Sequence, residues 1–267
     1  MKNYLNQLNT KIHAAGLVVI LAALVGCGGG SDSGVPKVPV VASTNTFKFQ
    51  VAWQKYVTNP YSKSLIVSGS CNGTLNYTHS AISAPIAFYY DDLQFPHPSG
   101  NVNPGYYRYN QEEVTTNLPG CVTSTSQTTT QLYYDATTFA PWGFKGGTAY
   151  NGATSYKGTF REFASGVVLP QTVKVGDFGS VGTIYTYEVS NFKKTGLPVG
   201  KTDVTYTVEA DTASTAIVNI TSKVYDANNK LTLIDQTKYL IDTVDNLSLH
   251  MIDQQYSDTL TLHLIAK

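Results

Sequence analysis

Few residues of this chain combine the type and spacing that catalysis requires. A catalytic site needs a nucleophile, a base or a set of metal ligands close together, and such groups leave recognisable patterns. The best candidates are Asp91, Asp92 and His97, which lie within one short proline-rich segment. Their side chains suit a cation site or an acid–base pair. A proline-stiffened surface loop with solvated carboxylates explains the same residues, and we favour that interpretation.

The other candidates for chemistry fall on predicted strands. Glu112 and Glu113 are adjacent, so their carboxylates point to opposite faces and cannot act as a pair. His250 and His263 alternate with apolar residues, which indicates solvent-facing positions, and the predicted hairpin places His263 beside Ile252. We therefore assign no catalytic residue, metal site or cofactor from the sequence, and we expect that the protein is not an enzyme.

Aromatic side chains favour binding instead. Tyr106 and Tyr107 follow the proline-rich segment, and Trp142 lies in a glycine-rich stretch, 139–152, that we predict to be a second loop. Tyrosine and tryptophan rings on loops stack on sugars and pack against protein partners. These three residues are candidate ligand-binding residues. Tyrosines that pack inside a sheet or cover its rim are the alternative explanation.

The N-terminus has the layout of an export signal. Lys2 and Lys11 precede an apolar run over 14–25, which is interrupted only by Gly16. A positive segment, a short apolar segment and small residues at the end are typical of a secretory signal peptide. The run is shorter than the roughly 20 apolar residues that a membrane-spanning helix requires.

Leu24-Val25-Gly26-Cys27, followed by a polar glycine-rich tail, resembles the lipobox of bacterial lipoproteins. The resemblance implies that 1–26 is a lipoprotein signal peptide and that Cys27 receives acyl chains such as palmitate. Two or more chains anchor a protein stably in a bilayer. By the same resemblance, Gly28 rather than Asp after the cysteine implies the outer membrane, on either face. An ordinary signal peptide with a chance cysteine is the alternative.

The remaining cysteines, Cys71 and Cys121, are expected to form a disulfide. An exported protein occupies a compartment that permits disulfides. Closing a loop of about 50 residues stabilises a fold by roughly 4 kcal/mol in the chain-entropy model. Two buried thiols are the alternative.

Composition narrows the range of partners. The chain has 18 basic and 18 acidic residues, and loss of Lys2 and Lys11 on cleavage leaves a net charge near −2. Without a basic surplus we expect no nucleic-acid partner. The expected partners are the bilayer, through acylated Cys27, and an envelope protein, glycan or lipid ligand.

The elements indicate an all-β fold. After a flexible lipidated tether over 27–43, we predict one all-β domain over 44–267, with a division into two sub-lobes near 165 as an option. Short strands with frequent turns indicate an antiparallel sandwich or a half-open barrel with a C-terminal meander. Alternating Phe47, Phe49, Val51 and Trp53 predict the first strand, and no helix is predicted after residue 27. Residues 167–175 are predicted as a strand, and 226–230 as the turn of a hairpin.

Val175-Gly176-Asp177 and Val208-Glu209-Ala210-Asp211-Thr212 resemble a group of uncharacterised putative lipoproteins from Gram-negative bacteria. This resemblance implies no active site. The main hypothesis is a non-enzymatic binding or scaffolding lipoprotein of the cell envelope, with an apolar-ligand (lipid) carrier as a subtype. A hydrolase of envelope polysaccharide would need two carboxylates about 5–10 Å apart, with Asp91, Asp92 and Asp177 as the first to test. A purely structural or adhesive surface protein is the third hypothesis.

Overall fold

A computed structural model of the chain describes residues 42–87, 106–117, 126–148, 157–164, 167, 169–190, 193–256 and 261–266. Predictions on the signal peptide, on Cys27 and most of the tether, and on Asp91, Asp92, His97 and Cys121 lie outside the described residues.

The described residues contain one helix, α1 (Phe49–Thr58), and thirteen strands. The strands are β1 (Tyr61–Gly69), β2 (Gly73–His79), β3 (Ile86–Ala87), β4 (Tyr106–Asn117), β5 (Ser126–Asp135), β6 (Pro141–Thr148), β7 (Lys157–Phe163), β8 (Phe178–Ser190), β9 (Lys193–Ala210), β10 (Thr215–Asp226), β11 (Leu231–Asp242), β12 (Leu247–Tyr256) and β13 (Thr261–Ala266).

Twelve of these thirteen strands close into an antiparallel barrel. From β4 to β13 each strand pairs with the next, β13 pairs with β1, and β1 pairs with β2. The pairing of β2 with β4, in which Tyr77 lies opposite Val114, completes the ring. Strand β3 pairs with the beginning of β4, Ile86 lying opposite Tyr107. The predicted all-β fold is therefore confirmed, and a closed barrel is its architecture.

The alternation of side chains along the strands places the core inside the barrel. In β11 every second residue from Leu233 to Ile241 is buried. Across the ladder, Ile220 and Val218 of β10 lie opposite Thr237 and Tyr239. A two-residue period turns one face of each strand inward. Each fully buried Leu, Ile or Val stabilises the fold by about 1.5–3 kcal/mol relative to an exposed one.

The predicted hairpin between β10 and β11 is confirmed. The Asp226 carboxylate accepts hydrogen bonds from the backbone N–H groups of Asn228 and Lys230, at 2.9 Å each. Asn229 has a φ of 59°, which asparagine tolerates better than most residues. These turn residues fix the register of the ladder between β10 and β11.

The prediction of a first strand at 47–54 is wrong. From Phe49 onward this segment forms α1, and its buried residues are spaced as on one face of a helix: Phe49, Ala52, Trp53, Tyr56 and Val57. Period two and period 3.6 both bring Phe49 and Trp53 to one face, so they do not separate the two structures. Val51, which the strand would turn inward, is 40% exposed. The prediction that no helix follows residue 27 fails for the same reason.

Two other predicted elements differ from the structure. The predicted loop at 139–152 contains β6, whose glycines pair within the sheet, Gly146 lying opposite Thr130 and Thr159. Conversely, the predicted strand at 167–175 lies outside the thirteen strands. Its ladder contact is a single bridge between Val173 and Phe47. The glycine content wrongly predicted a loop at β6, because pairing of β6 with a strand on each side compensates for the side-chain contacts that glycines lack.

Helix α1 lies across one end of the barrel, which we call the closed end. The Trp53 indole N–H donates to the carbonyl oxygen of Phe139, in the β5–β6 turn, at 3.1 Å. Before the helix, Ser43 donates to the carbonyl of Ala213, in the β9–β10 turn, at 3.1 Å. Turns from several hairpins therefore hold the N-terminal segment in place, and the chain joins the barrel at its closed end.

Candidate ligand-binding site

A slot opens in the barrel wall where β13 is shorter than its two neighbours. The last residue of β13 that pairs with β1 is Ala266, which lies opposite Leu65. The last residue of β13 that pairs with β12 is Ile265, which lies opposite Met251. Beyond these pairs, β1 and β12 continue toward the closed end without a described strand between them. The last turn of α1 lies behind this gap. Unequal strand length and the position of the helix thus create a concave surface.

This slot pocket has a volume of about 210 Å³. Its lining comes from the end of α1 and from the beginnings of β1 and β12: Lys55, Tyr56, Asn59, Tyr61, Lys63, Asn246, Leu247, Ser248 and Leu249. Leucine side chains and tyrosine rings supply apolar surface, whereas amides, a hydroxyl and two lysines supply polar groups. A mostly apolar concavity with a few polar groups is the usual composition of a small-molecule site.

The two lysines of the slot pocket have different surroundings. The Lys55 ammonium donates to the backbone carbonyl of Val244 at 3.0 Å. Lys63 is half-buried, and among the described residues no carboxylate lies within ion-pair distance of its ammonium. Strand alternation puts Lys63 on the same face as Tyr61 and Leu65, so its stem lies on the inner side of β1.

A buried polar network lies directly behind the pocket tyrosines. The rings of Tyr61 and His79 stack with centroids 4.9 Å apart and planes 12° from parallel. The Tyr61 and Tyr56 hydroxyls are hydrogen-bonded, and the Tyr77 hydroxyl donates to Oε1 of Glu112. The network therefore connects the pocket wall with a carboxyl group inside the barrel.

His79 ties this network to the helix. Its Nδ1 lies 3.3 Å from Oε1 of Glu112, and its Nε2 lies 3.1 Å from the carbonyl oxygen of Val57 in α1. The same carbonyl accepts a hydrogen bond from Nδ2 of Asn110 at 3.3 Å. Two polar side chains of the wall thus hold the last turn of the helix, which carries one side of the slot pocket.

The charge state of Glu112 depends on its burial. Burial raises the pKa of the Glu112 carboxyl, and hydrogen bonds with His79 and Tyr77 lower it by less. Its second oxygen, Oε2, is buried without a hydrogen-bond partner. Since an unpaired buried carboxylate oxygen is costly, the protonated form is favoured more than in water.

A second buried carboxyl lies elsewhere inside the barrel. Asp235 of β11 is 4% exposed, and its ladder neighbours are Ser222 and Gln254. Burial raises its pKa to about 7; the hydrogen bond with Gln254 lowers it, and the negative charge of Asp253 raises it further. Asp235 is not among the lining residues of the slot pocket.

The predicted binding residues lie on other strands than β1 and β12 of the slot pocket. Tyr106 and Tyr107 begin β4, and their side chains lie outside the described part of the chain, so their predicted role stays a prediction. Trp142 lies on β6 and is half-buried. Asp177 accepts a hydrogen bond from the Lys174 backbone in a turn, at 2.9 Å.

The predicted faces of the strand glutamates and histidines are confirmed, whereas the predicted register of the last hairpin is wrong. Glu112 is 3% exposed, whereas Glu113 is half-buried, so they do occupy alternate faces. His250 and His263 are exposed. The predicted register of the last hairpin is wrong by one residue, because His263 lies opposite Asp253, and their side chains approach to 2.6 Å.

Sequence reasoning missed the network of Tyr77, His79 and Glu112. Strand alternation indicates that Tyr77 and His79 share a face, but their partner comes from β4 and their cover from α1. The signal that was present is the helical spacing of Phe49, Trp53 and Tyr56, which places the helix over this face.

Comparisons with known proteins add no relative. No protein-family model, curated protein or solved structure matches the chain. Within the described residues, no group of three or more His, Cys, Asp or Glu is placed to hold a metal ion. The same residues include no helix of the length and apolarity needed to cross a bilayer.

Proposed function

We propose that the protein is a lipid-anchored binding module of the bacterial cell envelope, held in the outer membrane, which takes a small, largely apolar ligand into the slot pocket. The observation that carries the proposal is the pocket itself, with leucine and tyrosine surface between β1, β12 and α1. Apolar surface with a few amide, hydroxyl and ammonium groups suits reversible binding of a small molecule.

The position of the pocket supports a role near a membrane. Ser43 and Asn45 bond to the carbonyl of Ala213 at the closed end, at 3.1 and 3.0 Å. The slot pocket opens beside the first residues of β1 and β12, at the same end. A lipid on Cys27 would therefore bring the pocket toward the bilayer, with the tether setting a distance of about 22 Å.

We also propose the disulfide between Cys71 and Cys121. Cys71 follows β1 and is 3% exposed; Cys121 lies outside the described residues. Replacing Cys71 with Ser should lower the free energy of unfolding by about 4 kcal/mol. Urea unfolding of the wild type and the Cys71→Ser variant measures this, and equal stability under non-reducing conditions would contradict the bond.

The proposed function is tested with a neutral probe. Octanol should bind the full chain, reconstituted in phosphatidylcholine vesicles, with saturation at one molecule per chain after subtraction of protein-free vesicles. Ser248→Trp places a large ring at the pocket mouth and should abolish this binding. Gln255→Trp, at an exposed position of the same strand, is the matched control. Unsaturable uptake, or equal binding by both variants, would refute the proposal.

A further inference from the structure

We infer that the ligand of the slot pocket is a small anionic amphiphile, with one carboxylate, sulfonate or phosphate group held by Lys63 and a short apolar body on Leu247, Leu249 and Tyr61. This inference rests on the proposed function and adds the chemical class of the ligand. The described lining contains two ammonium groups and no acidic side chain. A site with that balance favours an anion over a neutral or cationic molecule.

Lys63 is the lysine that is left for a ligand. Lys55 lies in the last turn of α1, where the carbonyl groups carry partial negative charge, and its ammonium donates to Val244 at 3.0 Å. The positive charge of Lys55 thus offsets the partial negative charge at the C-terminal end of α1. Lys63 projects from β1 with a half-buried stem and no described carboxylate as a partner. An ammonium on a partly apolar wall is well placed for a charge-assisted hydrogen bond with a ligand anion.

The carboxyl group behind the pocket does not cancel this charge. Glu112 faces Tyr77 and His79 of β2, and its charge also acts on Tyr56 of α1 and Tyr239 of β11. Its negative form is disfavoured by burial. Glu112 is not among the lining residues of the slot pocket, whereas Lys63 is.

Volume limits the size of the ligand. The slot pocket has a volume of about 210 Å³. This is below the range of about 300–1,000 Å³ of drug-sized sites. A head group with a short chain fits, and a whole two-chain phospholipid does not.

The test compares three molecules that share one chain. Octanoate, octanol and octylammonium are dialysed against the full chain in phosphatidylcholine vesicles, with protein-free vesicles as the blank. Octanoate should bind at least about tenfold more tightly than octanol, and octylammonium more weakly than octanol. If none binds, the proposed function fails. If octanol binds at saturation and octanoate binds no better, only the present inference fails.

Lys63 variants assign the preference to one side chain. Lys63→Gln should bring octanoate binding down to the level of octanol and leave octanol binding unchanged, whereas Lys63→Arg should keep the preference. Lys223→Gln, on the outward face of β10, removes a half-buried lysine outside the pocket and should have no effect. An octanoate preference that survives Lys63→Gln, or that disappears equally in Lys223→Gln, would overturn the assignment.

Discussion

His79 connects the helix to the barrel wall through both nitrogens of its ring. Nδ1 faces Glu112 and Nε2 faces the Val57 carbonyl, at 3.3 and 3.1 Å, and the side chain is 1% exposed. Losing one member of a buried polar network leaves the others unpaired, which costs more than the bond itself contributes. The stability of the closed end should therefore depend on this residue.

Replacing His79 with Ala should lower the free energy of unfolding by about 2–4 kcal/mol, because it leaves a cavity and unpaired groups on Glu112 and Val57. His250→Ala, at an exposed position of β12, should change it by less than about 0.5 kcal/mol. Urea titrations of both variants measure the difference. Equal effects at the two positions would show that the network contributes nothing to stability.

Asp235 gives the barrel a pH dependence of known sign. Its pKa is about 7 in the folded protein, because of burial first, against an ordinary value of 3.8. The folded state therefore holds this proton more tightly than the unfolded chain does. The contribution of the protonated Asp235 carboxyl to stability is therefore complete below its ordinary pKa, and it is lost as the pH rises through about 7.

Asp235→Asn removes this titration. Relative to the wild type, the variant should become more stable by a few kcal/mol as the pH is raised from about 4 to about 8. Asp203→Asn, which removes a carboxylate bonded to Thr183 on the outer surface, is the control and should not gain stability. Urea unfolding at both pH values measures the free energy of unfolding of the wild type and of the two variants. A constant difference between Asp235→Asn and the wild type would exclude the buried carboxyl as the cause.

At the scale of elements, local pattern was a good guide where one face of a strand is buried and turn residues fix its end. The pair β10–β11 follows from alternation and turn chemistry. The pairing of β12 with β13 was predicted too, but its register was wrong by one residue. The pattern was misleading at 47–54, because apolar residues at 49 and 53 satisfy a strand and a helix alike. Only the tertiary environment of the segment separates the two structures.

Val51 and Ala52 distinguish the helix from a strand. Ala52 is fully buried on α1, whereas Val51 is 40% exposed; a strand would reverse these roles. Val51→Lys should change the free energy of unfolding by less than about 0.5 kcal/mol. Ala52→Lys should cost about 3 kcal/mol or more, because it buries a charge without a partner. The reverse order in urea unfolding would contradict the helix at this position.

At the scale of the whole molecule, the closure of the strands into a barrel could not be predicted from the sequence. The ring closes through β1 with β13 and β2 with β4, pairings that join distant parts of the chain or bypass β3. No local pattern encodes which strand meets which across such separations. The slot pocket depends on closure too, because it exists where β13 is shorter than β1 and β12. A candidate site formed by a gap in a ladder cannot be read from residue types, and Lys63 had no feature that marked it in advance.

The proposed membrane anchor belongs to the scale of the whole molecule and would depend on one thiol, that of Cys27. If Cys27 is acylated, labelled palmitate should enter the wild type and the protein should fractionate with membranes, since two or more acyl chains hold a protein stably. Cys27→Ser should incorporate no label and should leave the membrane fraction. Cys121→Ser is the control, because it removes a different cysteine and should keep both label and location. Mass spectrometry of the wild type should find Cys27 as the acylated first residue. An unmodified N-terminus, or palmitate on the Cys27→Ser variant, would contradict the anchor and would remove the reason for placing the slot pocket near a bilayer.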